Sequence, residues 1–152
     1  MEEKMFCYQC QEACRNTGCT FAGMCGKKAE TANLMDEIIR QLKLIALTRN
    51  ADRQLGRFIV KSLFMTITNA NFDDAALQRQ LDEAIKLAGE NPAQFSAGVL
   101  TCENEDIRSL RELLTYGLKG IAAYAEPAAV LGKEDDSIYA FCFKARSEEH
   151  NV

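Results

Sequence analysis

Five of the chain's seven cysteines fall between positions 7 and 25, as Cys7, Cys10, Cys14, Cys19 and Cys25, and no other feature restricts the fold as much. The segment also carries Gly18, Gly23 and Gly26 and shows no helical or alternating apolar period. It predicts a loop over residues 1–27, shaped by a bound ligand and not by a core of its own. In an exported chain such cysteines would be read as disulfides. Here the count is odd, and the opening Met1-Glu2-Glu3-Lys4-Met5 is charged where a secretory signal needs an apolar stretch. The expected setting is the cytoplasm, where clustered thiols point to metal or redox chemistry.

The spacing refines this. Cys7 and Cys10 form a C-x2-C pair, followed by eight residues to Cys19 and five to Cys25. Two thiolates three residues apart grip one centre from adjacent directions, and the later two supply the opposite side. Loop amides that point at the sulfurs tune the potential of an iron–sulfur cluster. The helical pattern begins just after Cys25, so the positive end of a helix dipole would face an anionic centre. Structural zinc usually joins two short C-x2–4-C knuckles across a longer spacer. Only the first pair here is a knuckle, so the dense set suits a cubane iron–sulfur cluster, with zinc as the alternative. Cys14 is either a spare, partly exposed thiol or a replacement for Cys10 or Cys19. A thioredoxin-like role for Cys7 and Cys10 needs a βαβ setting that a helical chain lacks. A nucleophilic cysteine needs a general base, and the only histidine, His150, lies in a charged tail.

The remainder reads as one all-α domain. At 152 residues, with 47% hydrophobic and 26% charged residues, the chain is long enough to bury a core. It has no stretch near the ~20 apolar residues of a membrane span. A net charge of −4 offers no basic footprint for nucleic acid or anionic lipid. From Lys28, apolar residues recur at three and four through Ala32, Met35, Ile38, Ile39, Leu42, Ile45 and Ala46, a helix to about Thr48. A second helix fits Gln54 to Thr68, with Leu55, Phe58, Ile59, Leu63 and Ile67 inward and Asp52 as its cap. After a turn at Asn69–Phe72, Asp73 caps a third helix through Leu77, Leu81, Ile85 and Ala88 to Gly89. The irregular stretch Pro92–Glu103 divides the helical part into 28–91 and 92–152. A fourth helix fits Glu105 to Ala125, with Leu110, Leu113, Leu118 and Tyr124 inward and Pro127 kinking or ending it. Gly117 and Gly120 within it predict close approach of another helix. A last helix runs from Ser137 through Ile138, Phe141 and Ala145, fraying from Arg146.

Met5-Phe6-Cys7-Tyr8-Gln9-Cys10-Gln11-Glu12, Gly18-Cys19-Thr20 and Gly23-Met24-Cys25-Gly26-Lys27 together resemble the N-terminus of the hybrid cluster (prismane) proteins, a family of hydroxylamine reductases. Leu55-Gly56-Arg57-Phe58, Thr66–Phe72 and Tyr116–Ala125 continue the resemblance over essentially the whole chain. It implies that Cys7, Cys10, Cys19 and Cys25 hold the family's proximal cluster, a [4Fe–4S] cubane by this spacing, where members with longer spacers carry [2Fe–2S]. It also implies a first domain of two packed three-helix bundles, about five or six helices. The family reduces hydroxylamine to ammonia or acts on nitric oxide, at a hybrid cluster whose ligand segments are absent from this sequence. No catalytic residue is therefore assigned here, and Cys102 and Cys142 are expected as buried thiols. The implied function is an electron-transfer domain whose partners are a redox protein or the missing catalytic domains. The alternative is an inactive remnant, partner-binding or zinc-stabilised, that self-associates through exposed apolar faces.

Overall fold

The computed structural model describes residues 5–67, 70–89 and 102–148. Among them five α-helices follow the cysteine segment and no strand forms: α1 (Ala29–Thr48), α2 (Arg53–Met65), α3 (Asp74–Ala88), α4 (Glu105–Val130) and α5 (Asp136–Glu148). The fold is all-α, as the periodicity requires. The internal division expected after Pro92 falls largely outside the described residues.

α1 is the central element. Every residue of its expected stripe is buried, and Gln41, Lys43 and Leu44 are buried as well. The reason is that α1 is enclosed on several sides, chiefly by α3 and also by α5 and α2. α2 packs mainly on α5 and α4. One contiguous apolar core takes residues from all five helices.

Local chemistry sets where the helices begin. Asp52 accepts from the Leu55 amide at 2.8 Å and Asp73 from the Ala76 amide at 2.9 Å. Asn104 accepts from the Asp106 and Ile107 amides at 3.0 and 3.1 Å. Each such cap contributes about 1 kcal/mol. Asn71 shapes the turn before α3, donating to the Met65 carbonyl and accepting from the Asp73 amide, both at 3.0 Å. Gly56 lets α2 approach α5, because a Cβ there would lie 2.8 Å from both the Cβ and the carbonyl oxygen of Tyr139.

Expectations for α4, for α5 and for Ile85 are corrected. α4 continues through Pro127 to Val130, because a proline in the final turn removes only one intrahelical bond; Leu131 and Gly132 close the end on the carbonyls of Pro127, Ala128 and Ala129. The buried face of α4 is Thr115, Leu118, Lys119, Ala122 and Glu126. Leu110, Leu113 and Tyr124 point outward at 55%, 66% and 83% exposure, and nothing lies within 4 Å of a Cβ built on Gly117 or Gly120. Among the described residues α4 packs chiefly on α2 and a little on α5. α5 does not fray at Arg146. That guanidinium is fully buried and donates to Thr115 Oγ1 at 2.9 Å, while Phe141, and Ile85 on α3, face solvent.

Candidate metal centre

The cysteine segment is folded by a few backbone bonds. Cys7 N–H donates to the Cys19 carbonyl at 3.0 Å and Cys19 N–H to the Cys7 carbonyl at 2.7 Å, an isolated antiparallel bridge. In such a pair the two side chains leave on the same face, with the Cα atoms about 5.5 Å apart. The first and third cysteines of the spacing are thus neighbours.

Between them the chain makes a tight return. Ala13 N–H donates to the Cys10 carbonyl at 3.2 Å, and a 3-10 turn follows over Cys14–Asn16. Arg15 and Asn16 take φ of 55° and 59°, and Gly18 takes +129°. A Cβ on Gly18 would lie 2.6 Å from the Phe6 ring, so that position demands glycine twice over. Left-handed backbone at Arg15 costs about 1–2 kcal/mol. Such strain persists only where the surroundings hold the loop's shape.

This return turns the Cys14 amide toward sulfur: Cys14 N–H donates to Cys19 Sγ at 3.4 Å. An amide aimed at a thiol is the contact that stabilises thiolate and tunes a metal bound to it. At the far end, Gly23 N–H bonds the Lys27 carbonyl at 2.7 Å and Gly26 N–H the Gly23 carbonyl at 2.8 Å, a turn that carries Cys25. α1 then begins without a side-chain cap, just after the turn that carries Cys25.

The segment has a small core after all. Met5, Cys19 and Ala32 are buried together, with Cys7, Cys14 and Ala29 against them, so the loop is seated on the first turn of α1. Cys19 is buried, and Cys7, Cys10, Cys14 and Cys25 are half-buried. All seven cysteines are free thiols. Among the described residues no three Cys, His, Asp or Glu side chains converge closely enough to hold a single metal ion. One zinc with Zn–S of about 2.3 Å would press its thiolates together, whereas a multi-iron cluster gives each thiolate its own iron. Soft thiolates, a bonded amide and a half-open loop fit a thiolate-bound centre in the kind of donors they offer.

Beneath the loop lie groups that sequence reading missed. Lys119 of α4, only 5% exposed, donates to Gln9 Oε1 at 2.5 Å and to the Thr66 carbonyl at 3.1 Å. Gln9 sits between Cys7 and Cys10, so this lysine pins the knuckle to the helical body. Burial, aided by Lys27 and Arg146 and opposed by Asp36 and Glu112, brings the Lys119 ammonium down to about 8. Lys27, 2% exposed, donates to Met35 Sδ at 3.1 Å. Asp36 is exposed as a residue, yet burial of its carboxyl raises it to about 6, with Glu112 adding to the shift and Lys119, Lys27 and Lys43 opposing it. Burial likewise pushes the Tyr8 hydroxyl up to about 12, so it stays protonated. A cavity of about 340 Å³ beside Cys10 is lined by Tyr8, Gln9, Glu112, Tyr116 and Lys119 among others. The available signal was the register of Lys119 with Thr115 and Glu126, a polar stripe on a helix read only for its apolar residues.

Outside the loop, Cys142 is fully buried, its thiol pushed up to about 11 by burial. Cys102 is half-exposed, contrary to expectation, and its Sγ reaches the Asn104 carbonyl at 3.4 Å just before α4. His150 lies outside the described residues.

Residues 5–149 match the model of the Prismane/CO dehydrogenase family. The chain belongs to that family. Hydroxylamine reductases of Desulfitobacterium hafniense and Caldanaerobacter subterraneus subsp. tengcongensis are each 44% identical to it, over 92% and 93% of this chain and 32% and 33% of their own length. The hydroxylamine reductase of Clostridium botulinum strain Langeland is 41% identical over 93% of this chain and 35% of its own. The chain thus spans about a third of the length of these relatives. Their alignments run over 177 to 201 positions, more than the 152 residues of this chain, so the relatives carry segments inside the matched region that it lacks. Among the described residues no helix is long and apolar enough to cross a membrane.

Proposed function

We propose that this chain is the electron-transfer part of a hydroxylamine reductase-like protein, with Cys7, Cys10, Cys19 and Cys25 holding one iron–sulfur cluster of the [4Fe–4S] type. The observation that carries this reading is the Cys7–Cys19 pairing, which sets two of the four thiols side by side in a loop held on α1. The relatives' shared name supplies the reaction class.

When bound, such a cluster accepts and releases single electrons. The chain's own residues fix the ligands, keep water from the buried Cys19 side and donate the Cys14 amide to sulfur. Reduction of hydroxylamine to ammonia and water consumes two electrons and two protons. In this reading the centre that breaks the N–O bond belongs to segments that the relatives carry beyond the matched third. In this reading further family segments cover the outward face of α4, where Leu113 and Tyr124 are exposed.

The test is iron, acid-labile sulfide and zinc content of protein purified without oxygen, with its visible spectrum. About four irons and four sulfides per chain, and a broad band that bleaches on reduction, are expected. One zinc without sulfide would overturn the redox reading and leave a zinc-stabilised structural domain.

A further inference from the structure

Burying a charge is costly unless an opposite charge or a metal centre meets it. Lys27 and Lys119 meet this requirement only in part: Asp36 acts on both through space and Glu112 on Lys119, and neither carboxylate is hydrogen-bonded to them. Both are at most 5% exposed, and their hydrogen bonds go to neutral acceptors: a thioether for Lys27, an amide oxygen and a carbonyl for Lys119. Asp36 is a surface residue whose carboxyl is nonetheless partly desolvated and raised to about 6, so two buried cations, Lys27 and Lys119, share one weakened carboxylate, with Glu112 acting on Lys119 and Arg146 adding positive charge to the same region. The two ammonium groups lie at the two ends of the cysteine segment. Lys27 follows Cys25 in the turn that presents it, and Lys119 holds Gln9 between Cys7 and Cys10. What stands above them is a set of thiols that becomes anionic when it binds metal.

We infer that Lys27 and Lys119 are the counter-charges of the thiolate-bound cluster, two ammonium groups buried beneath the cysteine loop that offset its negative charge and raise its reduction potential. This rests on the reading that the four cysteines hold an iron–sulfur cluster. A cation buried in low dielectric favours the more negative, reduced state of the centre beside it, and is screened far less than a surface cation. The direct hydrogen bonds of both lysines are to neutral groups, so Asp36 and Glu112 offset their positive charge only through space and part of it acts on the loop.

The experiment is the midpoint potential of the reconstituted full chain, by anaerobic redox titration followed in the visible spectrum. It compares wild type with Lys27→Met, Lys119→Met, Lys27→Arg and Lys119→Arg, with the exposed Lys61→Met as control. Iron and sulfide are measured on each sample. Each Met variant is expected to shift the reduced-to-oxidised ratio about tenfold toward oxidised, about 59 mV for a one-electron couple. The Arg variants should stay within the control's shift. Met variants that load fully and titrate like the control would overturn the inference and leave the cluster reading standing. If the Met variants lose the cluster and the Arg variants keep it, the charge itself is needed to hold the anion, which supports the inference. If both substitutions at a site lose it, geometry and not charge is what the lysine supplies, and the inference fails. A wild-type chain that takes up no iron and sulfide would instead sink the underlying reading.

Discussion

Cys7 and Cys19 exchange both of their backbone hydrogen bonds, at 3.0 and 2.7 Å, and this reciprocal pairing joins the two halves of the cysteine segment. Its two ends differ in what holds them. The Cys7 end is fixed from below through Gln9 and Lys119, and the Cys19 end packs on Met5 and Ala32. Cys14 lies within the return between them and contributes its amide to Cys19 Sγ, so its backbone is used while its thiol is free for another task.

That division of labour predicts the outcome of a cysteine scan. Cys7→Ala, Cys10→Ala, Cys19→Ala and Cys25→Ala should each abolish uptake of iron and sulfide under anaerobic reconstitution. Cys14→Ala keeps the amide and should retain full uptake and spectrum. Loss of the cluster in the Cys14 variant, with retention in any of the others, would move the ligand assignment to Cys14.

Identical substitutions at three glycines should act with opposite sign. Gly56→Ala places a methyl group 2.8 Å from the Tyr139 carbonyl, and backbone cannot rotate out of the way. Overpacking of this kind costs about 1–3 kcal/mol, more than the gain of about 1 kcal/mol in helix propensity. Gly117→Ala and Gly120→Ala meet open space and should each stabilise by up to about 1 kcal/mol. Urea unfolding of the three variants beside wild type reads both signs at once.

The same residues show what the sequence disclosed. Where the apolar period is clear, as in α1, the helix bounds and the inward stripe agree with expectation, and the expected caps Asp52 and Asp73 start α2 and α3. The cysteine spacing likewise drew attention to the loop that the Cys7–Cys19 bridge folds. α4 misled because its apolar residues do not follow the buried face: Leu113 and Tyr124 point outward while Lys119 and Glu126 point in. Periodicity assumes that a helix buries its apolar side. It cannot register a lysine buried to hold a loop, nor apolar side chains that stay exposed. Arg146 was misread for the same reason, since its burial depends on Thr115 of another helix.

The buried Lys119 should leave a signature in the pH dependence of stability. Its ammonium titrates near 8 in the folded chain against the usual 10.5, so between these values the unfolded chain binds more protons than the folded one. Stability therefore rises with pH across that window, and the burden of the buried charge is fully present below about pH 8. Asp36, Glu112, Lys27 and Arg146 are the charged groups that act on it. Metal-free wild type should gain stability relative to Lys119→Met from pH 8 to 10.5, measured as the difference in urea unfolding free energy. Titration of the thiols is common to both proteins and cancels in that difference. A flat difference would mean that the ammonium is not held below its usual range.

Leu113 and Tyr124 share the outer side of α4 with Gly117 and Gly120, and no charged side chain stands among these four. An apolar strip of this size on a free chain favours self-association, because removing it from water gains about 25 cal/mol per Å². Sedimentation velocity of the isolated chain should show a weight-average size that grows with concentration. Leu113→Glu with Tyr124→Lys should abolish that growth and change the unfolding free energy by no more than about 0.5 kcal/mol per site, since both side chains are already exposed. If wild type stays monomeric at every concentration, the strip is too small or too curved to pair with itself. Segments of a longer family chain then remain its fitting occupant, and the charged pair should weaken their binding when they are supplied in trans.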